Sequence, residues 1–262
     1  MTDAAPADRP RTRLFVAGPL APGASVALDE GRAHYLRNVL RMGPGDAVAV
    51  FDGASGEWRA EVAELWKRGG MLAVSARLRA QEPAPDLWLL AAPIARARYE
   101  AVAEKATELG VSRIVPVLTA RTQGGRVNTD RLRAVAVEAA EQCERLDVPE
   151  AAEPVRLDAL LRGWPDGRVL VACTEAGPVR PIAEAAAAVP RGTPAAILVG
   201  PEGGFTQSEL DALRGSHFCL AVGLGPRVLR ADTAAVAALA CWQALAEGGP
   251  GGGADRRPPA RA

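Results

Sequence analysis

Glu202 stands in the middle of a glycine-rich loop, Gly200-Pro201-Glu202-Gly203-Gly204, that follows the apolar run Ile197, Leu198, Val199. Thr206 and Glu209 behind it have the Thr-x-x-Glu spacing of a capping box, so the stretch reads as strand, loop and helix start. Unpaired N–H groups at a helix N-terminus, aided by the helix dipole, favour an anion. Two features argue against a phosphate here. The Gly-x-x-Gly-Gly spacing matches neither a dinucleotide fingerprint nor a P-loop, which also ends in a Lys-Ser/Thr pair. Glu202 would in addition repel an anion at close range. A neutral or cationic ligand fits better, and the competing reading is a turn that only packs a helix onto a sheet. Further along, Ala221-Val222 runs into Gly223-Leu224-Gly225 and then into a helix whose expected N-cap is Asp232 or Thr233. Ligands of open α/β sheets bind beyond the carboxyl ends of strands, so two such loops can wall one pocket.

A second constellation is "HYLRNVLR", expected as a helix over about Gly31 to Arg41 with Leu36, Val39 and Leu40 facing inward. His34, Arg37 and Arg41 fall at i, i+3 and i+7 and line one side. Two forked guanidiniums and an imidazole can grip phosphate, although a solvated helix face has the same pattern. Net charge is zero and the only lysines are Lys67 and Lys105, so any contact with nucleic acid must be local and geometric. The arginine excess, alongside heavy Ala, Gly and Pro use, also fits a GC-rich coding sequence. Cys143, Cys173, Cys219 and Cys241 are far apart, with no C-x-x-C pair and only two histidines beside them, which argues against a zinc or disulfide framework. No apolar run approaches the ~20 residues of a spanning helix, and the first ten residues lack a signal-peptide core. A cytoplasmic location is expected.

These constellations sit on two kinds of element. Residues 11–80 are expected to form a small β barrel or sandwich: Arg13 to Val16, Ser25 to Leu28, Ala47 to Phe51, and an alternating Glu57 to Leu65 with Trp58, Ala60 and Val62 on one face. Gly69-Gly70 reads as the turn into Met71 to Leu78. The prolines of 81–86 make a linker. Beyond it, strands at Leu87 to Ala91, Ile114 to Val117, Val169 to Cys173, Ile197 to Val199 and Cys219 to Val222 alternate with helices, including Arg96 to Leu109 stopped by Gly110, Asp130 to Glu144, and Thr233 to Ala246. That grammar argues an α/β domain, 87–247, with a mostly parallel sheet. Segments 1–10 and 248–262 are expected to be disordered.

Together the motifs resemble those of the ribosomal RNA uracil-N3 methyltransferases of the RsmE type, in the SPOUT superfamily. The likeness rests on Gly200 to Gly204, on "LGPRVLR" from Leu224 to Arg230, on "KATELGV" from Lys105 to Val111, and on Glu138 to Gln142 followed by Arg145. It implies a PUA-like RNA-binding barrel over 11–80, followed by a SPOUT α/β domain with a trefoil knot, a parallel sheet flanked by helices. It also implies S-adenosylmethionine as cofactor, 16S ribosomal RNA of the small subunit as substrate, no metal, and a homodimer, for which the apolar Val236, Leu239 and Trp242 of the last helix are local support. The cofactor's sulfonium is cationic, so Glu202 would not repel it. Carried onto this chain, the cofactor site comprises Leu198, Val199, Gly200, Glu202 and Gly203 of the first loop. The second loop adds Val222, Gly223, Leu224, Gly225, Arg227, Val228 and Leu229.

Methylating N3 of uridine requires proton loss from a weakly acidic imide and in-line approach to the methyl carbon, so orientation and electrostatic stabilisation dominate. Arg230 and Arg227 are the electrostatic candidates, and Asp232 or Glu202 could assist proton removal. Both arginines could instead serve structural ion pairs. RNA contacts are expected from Arg13, His34, Arg37, Arg41, Arg121 and Arg145. The chain departs from the family in having Ala231-Asp232 for the usual Thr and Glu, and "TART" (119–122) where a further acid is usual. Two alternatives remain: a SPOUT ribose 2′-O-methyltransferase, and a non-catalytic RNA-binding factor of the same fold.

Overall fold

The computed structural model describes residues 10–123, 126–174 and 177–246. Of the two segments expected to be disordered, 248–262 and all but Pro10 of 1–10 lie outside the described residues. The chain divides into two compact units, Met1–Pro83 with Val137–Val148, and Ala84–Ala136 with Pro149–Ala262. Val137–Val148, assigned by its position in sequence to the second domain, thus groups with the first.

The first unit is a five-stranded sheet of β1 (Arg13–Phe15), β2 (Ser25–Leu28), β3 (Ala47–Phe51), β4 (Glu57–Trp66) and β5 (Gly69–Arg79), in the order β1-β3-β4-β5-β2. Only β1 and β3 run parallel. The expected alternation holds on β4, where Trp58, Ala60 and Val62 enter a core with Val48, Val50, Leu72 and Leu36. Gly69 and Gly70 are not the turn, which falls on Lys67-Arg68. They open β5 and are buried. A Cβ at Gly69 would lie 2.9 Å from both the Leu28 carbonyl and the Trp66 indole nitrogen, so the close approach of β2 requires a residue without one.

The expected helix over 31–41 is broken in two. α1 (Glu30–His34), capped by Asp29, passes into a π-helical turn, Tyr35–Val39. The Leu40 N–H donates to the Tyr35 carbonyl at 3.0 Å, an i→i+5 bond that takes one more residue per turn than an α-helix. Val39 therefore does not return to the face of the fully buried Leu36, and the inward position expected for it is wrong: it is 60% exposed.

Arg13 is not an RNA contact, contrary to expectation, because the packing of this unit consumes it. Its side chain is 2% exposed. Nε pairs with Glu57, Nη1 donates to the Ala140 carbonyl at 2.7 Å and Nη2 to the Arg145 carbonyl, while the guanidinium lies over the Phe51 ring. Arg79 holds the other oxygen of Glu57 at 2.8 Å and donates to the Glu144 carbonyl at 2.7 Å. The two arginines thus satisfy carbonyls at and beyond a helix C-terminus that would otherwise be orphaned. Arg145 is likewise withdrawn from RNA, since its side chain, 11% exposed, forks onto Asp147 at 3.0 and 2.7 Å.

Burial opposes the charge of Glu57, but hydrogen bonds from Arg79 and Arg13 outweigh it and hold the carboxyl below its ordinary pKa. We predict that Glu57→Ala, which leaves the buried Arg13 guanidinium without its carboxylate, destabilises the protein by about 3–5 kcal/mol in urea unfolding. The depressed pKa sets the sign of the pH dependence. The contribution is complete above the unfolded carboxylate pKa and is lost as pH falls through the lower folded one, so parent and variant should converge in acid. A difference independent of pH would remove the carboxylate from the account.

The second unit is built on β6 (Leu87–Ala91), β7 (Arg113–Leu118), β8 (Glu150–Ala151), β9 (Val155–Arg156), β10 (Val169–Cys173), β11 (Arg180–Pro181), β12 (Ala195–Val199) and β13 (Cys219–Gly223). Every pairing is parallel, in the order β11-β13-β10-β12-β6-β7-β8 with β9 also on β7. Alternate side chains enter two cores. Leu89, Ile197 and Val199 pack beneath α2 (Arg96–Glu108), the start of α3 (Thr129–Gln142), α5 (Ile182–Ala188) and α7 (Ala231–Leu245). Leu90, Leu198 and Ala172 pack beneath α4 (Leu157–Arg162) and α6 (Gln207–Gly215). Helices on both faces of a parallel sheet are the expected class. Gly110 closes α2 with φ +82, a left-handed residue as a C′ glycine requires. Leu239 and Trp242, offered as dimer support, are buried in their own chain's core. Among the described residues no helix is long and apolar enough to cross a membrane.

Candidate functional site

The two glycine loops converge because β12 and β13 both flank β10. Cys173, the last residue of β10, is level with Val199 on one side and Val222 on the other. Loop 200–206, loop 224–230 and Thr174 therefore leave the sheet at one edge. The Thr174 N–H is taken by the Val222 carbonyl at 3.1 Å, and its buried hydroxyl has no partner among the described residues. An orphaned hydroxyl between two glycine loops is what a polar ligand atom would satisfy.

The first loop is shaped by its glycines and pinned from behind. A Cβ on Gly200 would meet the Phe205 ring at 2.9 Å, and Gly204 has φ +66 with its N–H on the Pro201 carbonyl at 2.8 Å. The capping box is present: Thr206 accepts from the Glu209 N–H, and the Glu209 carboxylate accepts from the Thr206 N–H at 2.8 Å and from the Ala120 N–H at 2.7 Å. Arg121 donates to the Gly203 carbonyl at 2.8 Å, so this expected RNA contact also ties the segment after β7 to the loop. Glu202 is exposed. Val199 is buried, and Leu198 is wholly a core residue packed with Phe205 and Leu210, so its side chain cannot line the site as expected.

In the second loop Gly225 has φ +110, and a Cβ on Gly223 would lie 3.1 Å from Val179. Leu224 and Leu229 lean on the core, whereas Val228 is 83% exposed. Arg227 and Arg230 are exposed, and among the described residues neither side chain forms a hydrogen bond or ion pair. The N-cap of α7 is Arg230, not Asp232 or Thr233, because the helix starts earlier than the apolar pattern suggested. Asp232 lies in the first turn, accepts from the Thr233 N–H at 2.8 Å, and faces Arg98 of α2 at 4.0 Å. Thr174, Val179, Phe205 and Arg98 were not singled out in the sequence. Thr174 had one signal, its place directly after an expected strand.

In the first unit, the Asn38 side chain joins His34, at 2.7 Å from Nδ1, to Arg37, whose Nε donates to it at 3.3 Å. Arg41 lies beyond the π-helical turn with a left-handed backbone, φ 54, so it does not share a helix face with them as the i+7 spacing suggested. The four cysteines are unpaired, and no cluster among the described residues could hold a metal.

Against known proteins, the family model for the RNA methyltransferase domain matches residues 81–243, and that for the RNA methyltransferase PUA domain matches residues 28–72. The "Ribosomal RNA small subunit methyltransferase E" of Synechocystis is 33% identical over 90% of this chain and 78% of its own. The protein of the same name from Rickettsia conorii is 29% identical over 87% and 93%. Among solved structures, the methyltransferase E of Neisseria gonorrhoeae bound to S-adenosyl methionine matches with a TM-score of 0.77, 25% identity, and coverage of 89% of this chain and 97% of that one. A Legionella pneumophila protein with bound SAM matches with a TM-score of 0.77, 29% identity and coverage of 90% and 98%.

Proposed function

The chain belongs to the RNA methyltransferase family, and on that premise we propose that it transfers the methyl group of S-adenosylmethionine to N3 of a uridine in 16S ribosomal RNA of the small subunit, acting in the cytoplasm. The observation that carries the reading is the convergence of the two glycine loops on the orphaned Thr174 hydroxyl at one sheet edge. That edge suits the cofactor. Gly200, Gly203, Gly223 and Gly225 let backbone approach an adenosine, Leu224 and Leu229 supply apolar contact, and Glu202 is compatible with a sulfonium. The bound cofactor supplies an electrophilic methyl carbon.

The chain's own groups then have separate tasks. Arg230 and Arg227, exposed beside the second loop, stabilise the negative charge that spreads onto the uracil oxygens as N3 loses its proton. Glu202 or the Asp232 carboxylate, the latter set opposite Arg98, receives that proton directly or through water. A knotted chain path and a homodimer are part of the same reading. With Leu239 and Trp242 committed to the core, the exposed Leu245 and Val228 are the better dimer candidates. Sedimentation at micromolar concentration should show a dimer, and a monomer would discard that part.

His34, Arg37 and Arg41 are assigned to RNA phosphates. Replacing both arginines by alanine should flatten the slope of log affinity against log salt by about one per lost phosphate contact. An unchanged slope would mark them as solvated surface. The reaction itself is tested on small subunits from cells lacking the gene, with labelled S-adenosylmethionine and mass analysis of the nucleosides. Label in N3-methyluridine is expected. Label on a ribose oxygen would favour the 2′-O reading, and no transfer together with RNA binding would favour a non-catalytic factor.

A further inference from the structure

One of the two left-handed non-glycine positions among the described residues of the first unit lies beside that unit's most exposed large apolar side chain. Over Tyr35–Val39 the helix is π-helical, and two residues later Arg41 adopts φ 54. Arg41 and Glu144 are the only non-glycine residues with positive φ among the described residues. Such outliers persist only where surrounding packing imposes them, and they collect at binding sites. The packing here is plain: Leu36 is fully buried, Met42 is 4% exposed, and the Met42 N–H closes onto the Leu36 carbonyl at 2.9 Å. Both residues are anchored in the core, and the turn around Leu36, with the chain on to Arg41, is left bulging outward.

What bulges is chemically specific. Tyr35 is 40% exposed and Val39 60%. Four residues apart in a widened turn, they share its outer side. His34 and Arg37, joined through Asn38, flank them, with Arg41 at the end of the bulge. A regular helix would have turned Val39 toward the face of Leu36 and left Tyr35 without that aliphatic neighbour outside. An aromatic ring beside an aliphatic side chain, flanked by two guanidiniums and an imidazole, suits the flat face of an unstacked nucleobase with phosphates on either side. A duplex offers phosphates but no free base face.

We propose that this π-helical turn is a stacking site for an unpaired base of the RNA substrate, with Tyr35 as the platform and Arg37 and Arg41 on the adjoining phosphates. The inference rests on the proposed function and narrows it: the RNA segment held by this unit is single-stranded, and the strain at Arg41 serves to aim a cation that a glycine could not supply.

The test uses the full-length protein and two probes, a ten-residue oligouridylate and a duplex RNA of equal length. The parent should prefer the single strand. Tyr35→Ala should lose about tenfold in affinity for it, as expected for one base stack, with little change for the duplex, and Tyr35→Phe should retain the parent's affinity. Arg41→Gly should weaken single-strand binding while its thermal midpoint stays at or above the parent's, because glycine relieves the positive φ. S-adenosylmethionine affinity should be unchanged in all three variants. Equal affinities of parent and Tyr35→Ala for the single strand, or equal losses on single strand and duplex, would overturn the stacking site. A lower midpoint for Arg41→Gly would overturn the role assigned to strain. The proposed function is judged separately, by N3-methyluridine formation on small subunits.

Discussion

Valine at Gly200 or at Gly225 is expected to abolish S-adenosylmethionine binding while leaving the fold intact. The reasons differ. At Gly200 even a Cβ would be 2.9 Å from the Phe205 ring, so a branched side chain must push that ring or the loop into the space the cofactor needs. Phe205 stands between the loop and the core residues Leu210 and Leu213, so it has little room to retreat. At Gly225 space is open, but φ is +110, a region in which a β-branched residue is strained by about 1–3 kcal/mol. The loop there would relax to another path and carry Leu224, Val228 and Leu229 with it. Calorimetric titration at cofactor concentrations that saturate the parent should show no heat of binding in either variant, with unchanged far-UV circular dichroism. Parent-like affinity in both would place the cofactor elsewhere.

Arg230→Ala is expected to lower the rate of methyl transfer by about 10²–10³-fold, the usual cost of removing one charge-stabilising donor from an active site. The side chain leaves the N-cap position of α7 and is used in no ion pair among the described residues, so its removal should leave stability near the parent's. RNA and cofactor affinities should also stay near normal, because the interaction is realised mainly as charge develops on the base. Single-turnover kinetics on small subunits separates the steps. A rise in KM with an unchanged kcat would instead make Arg230 a residue of uniform substrate binding. Loss of stability would return it to the structural ion pairs that the sequence could not exclude.

The legible parts of this protein were those written in short-range pattern. Thr206 and Glu209 three residues apart specify their own capping box, since both partners of its hydrogen bonds lie within one turn. Alternation over Glu57 to Leu65 and apolar runs such as Leu87 to Ala91 and Val169 to Cys173 identified strands, because burial on one face or on two leaves different periods. Glycine placement identified both loops, and loops that follow strands of a parallel sheet must gather at one edge. The family resemblance added the cofactor and the substrate class on those same residues.

What the sequence could not decide depends on neighbours far along the chain. Strand order places β10 between β12 and β13, and this alone puts the Thr174 hydroxyl between the two loops. Arg13 looked like any barrel arginine, but Glu57, Phe51 and the carbonyls of Ala140 and Arg145, distant in sequence, surround it and turn a candidate RNA contact into a buried clasp. Leu239 and Trp242 were apolar on either account, and only packing shows that they serve their own core. The turn at Tyr35–Val39 is the sharpest case, since five residues within what reads as an ordinary amphipathic helix over 31–41 are widened where Leu36 and Met42 are both buried. Local spacing states which side chains an element offers, but the fit of that element against the rest of the fold decides which of them reach solvent, substrate or core.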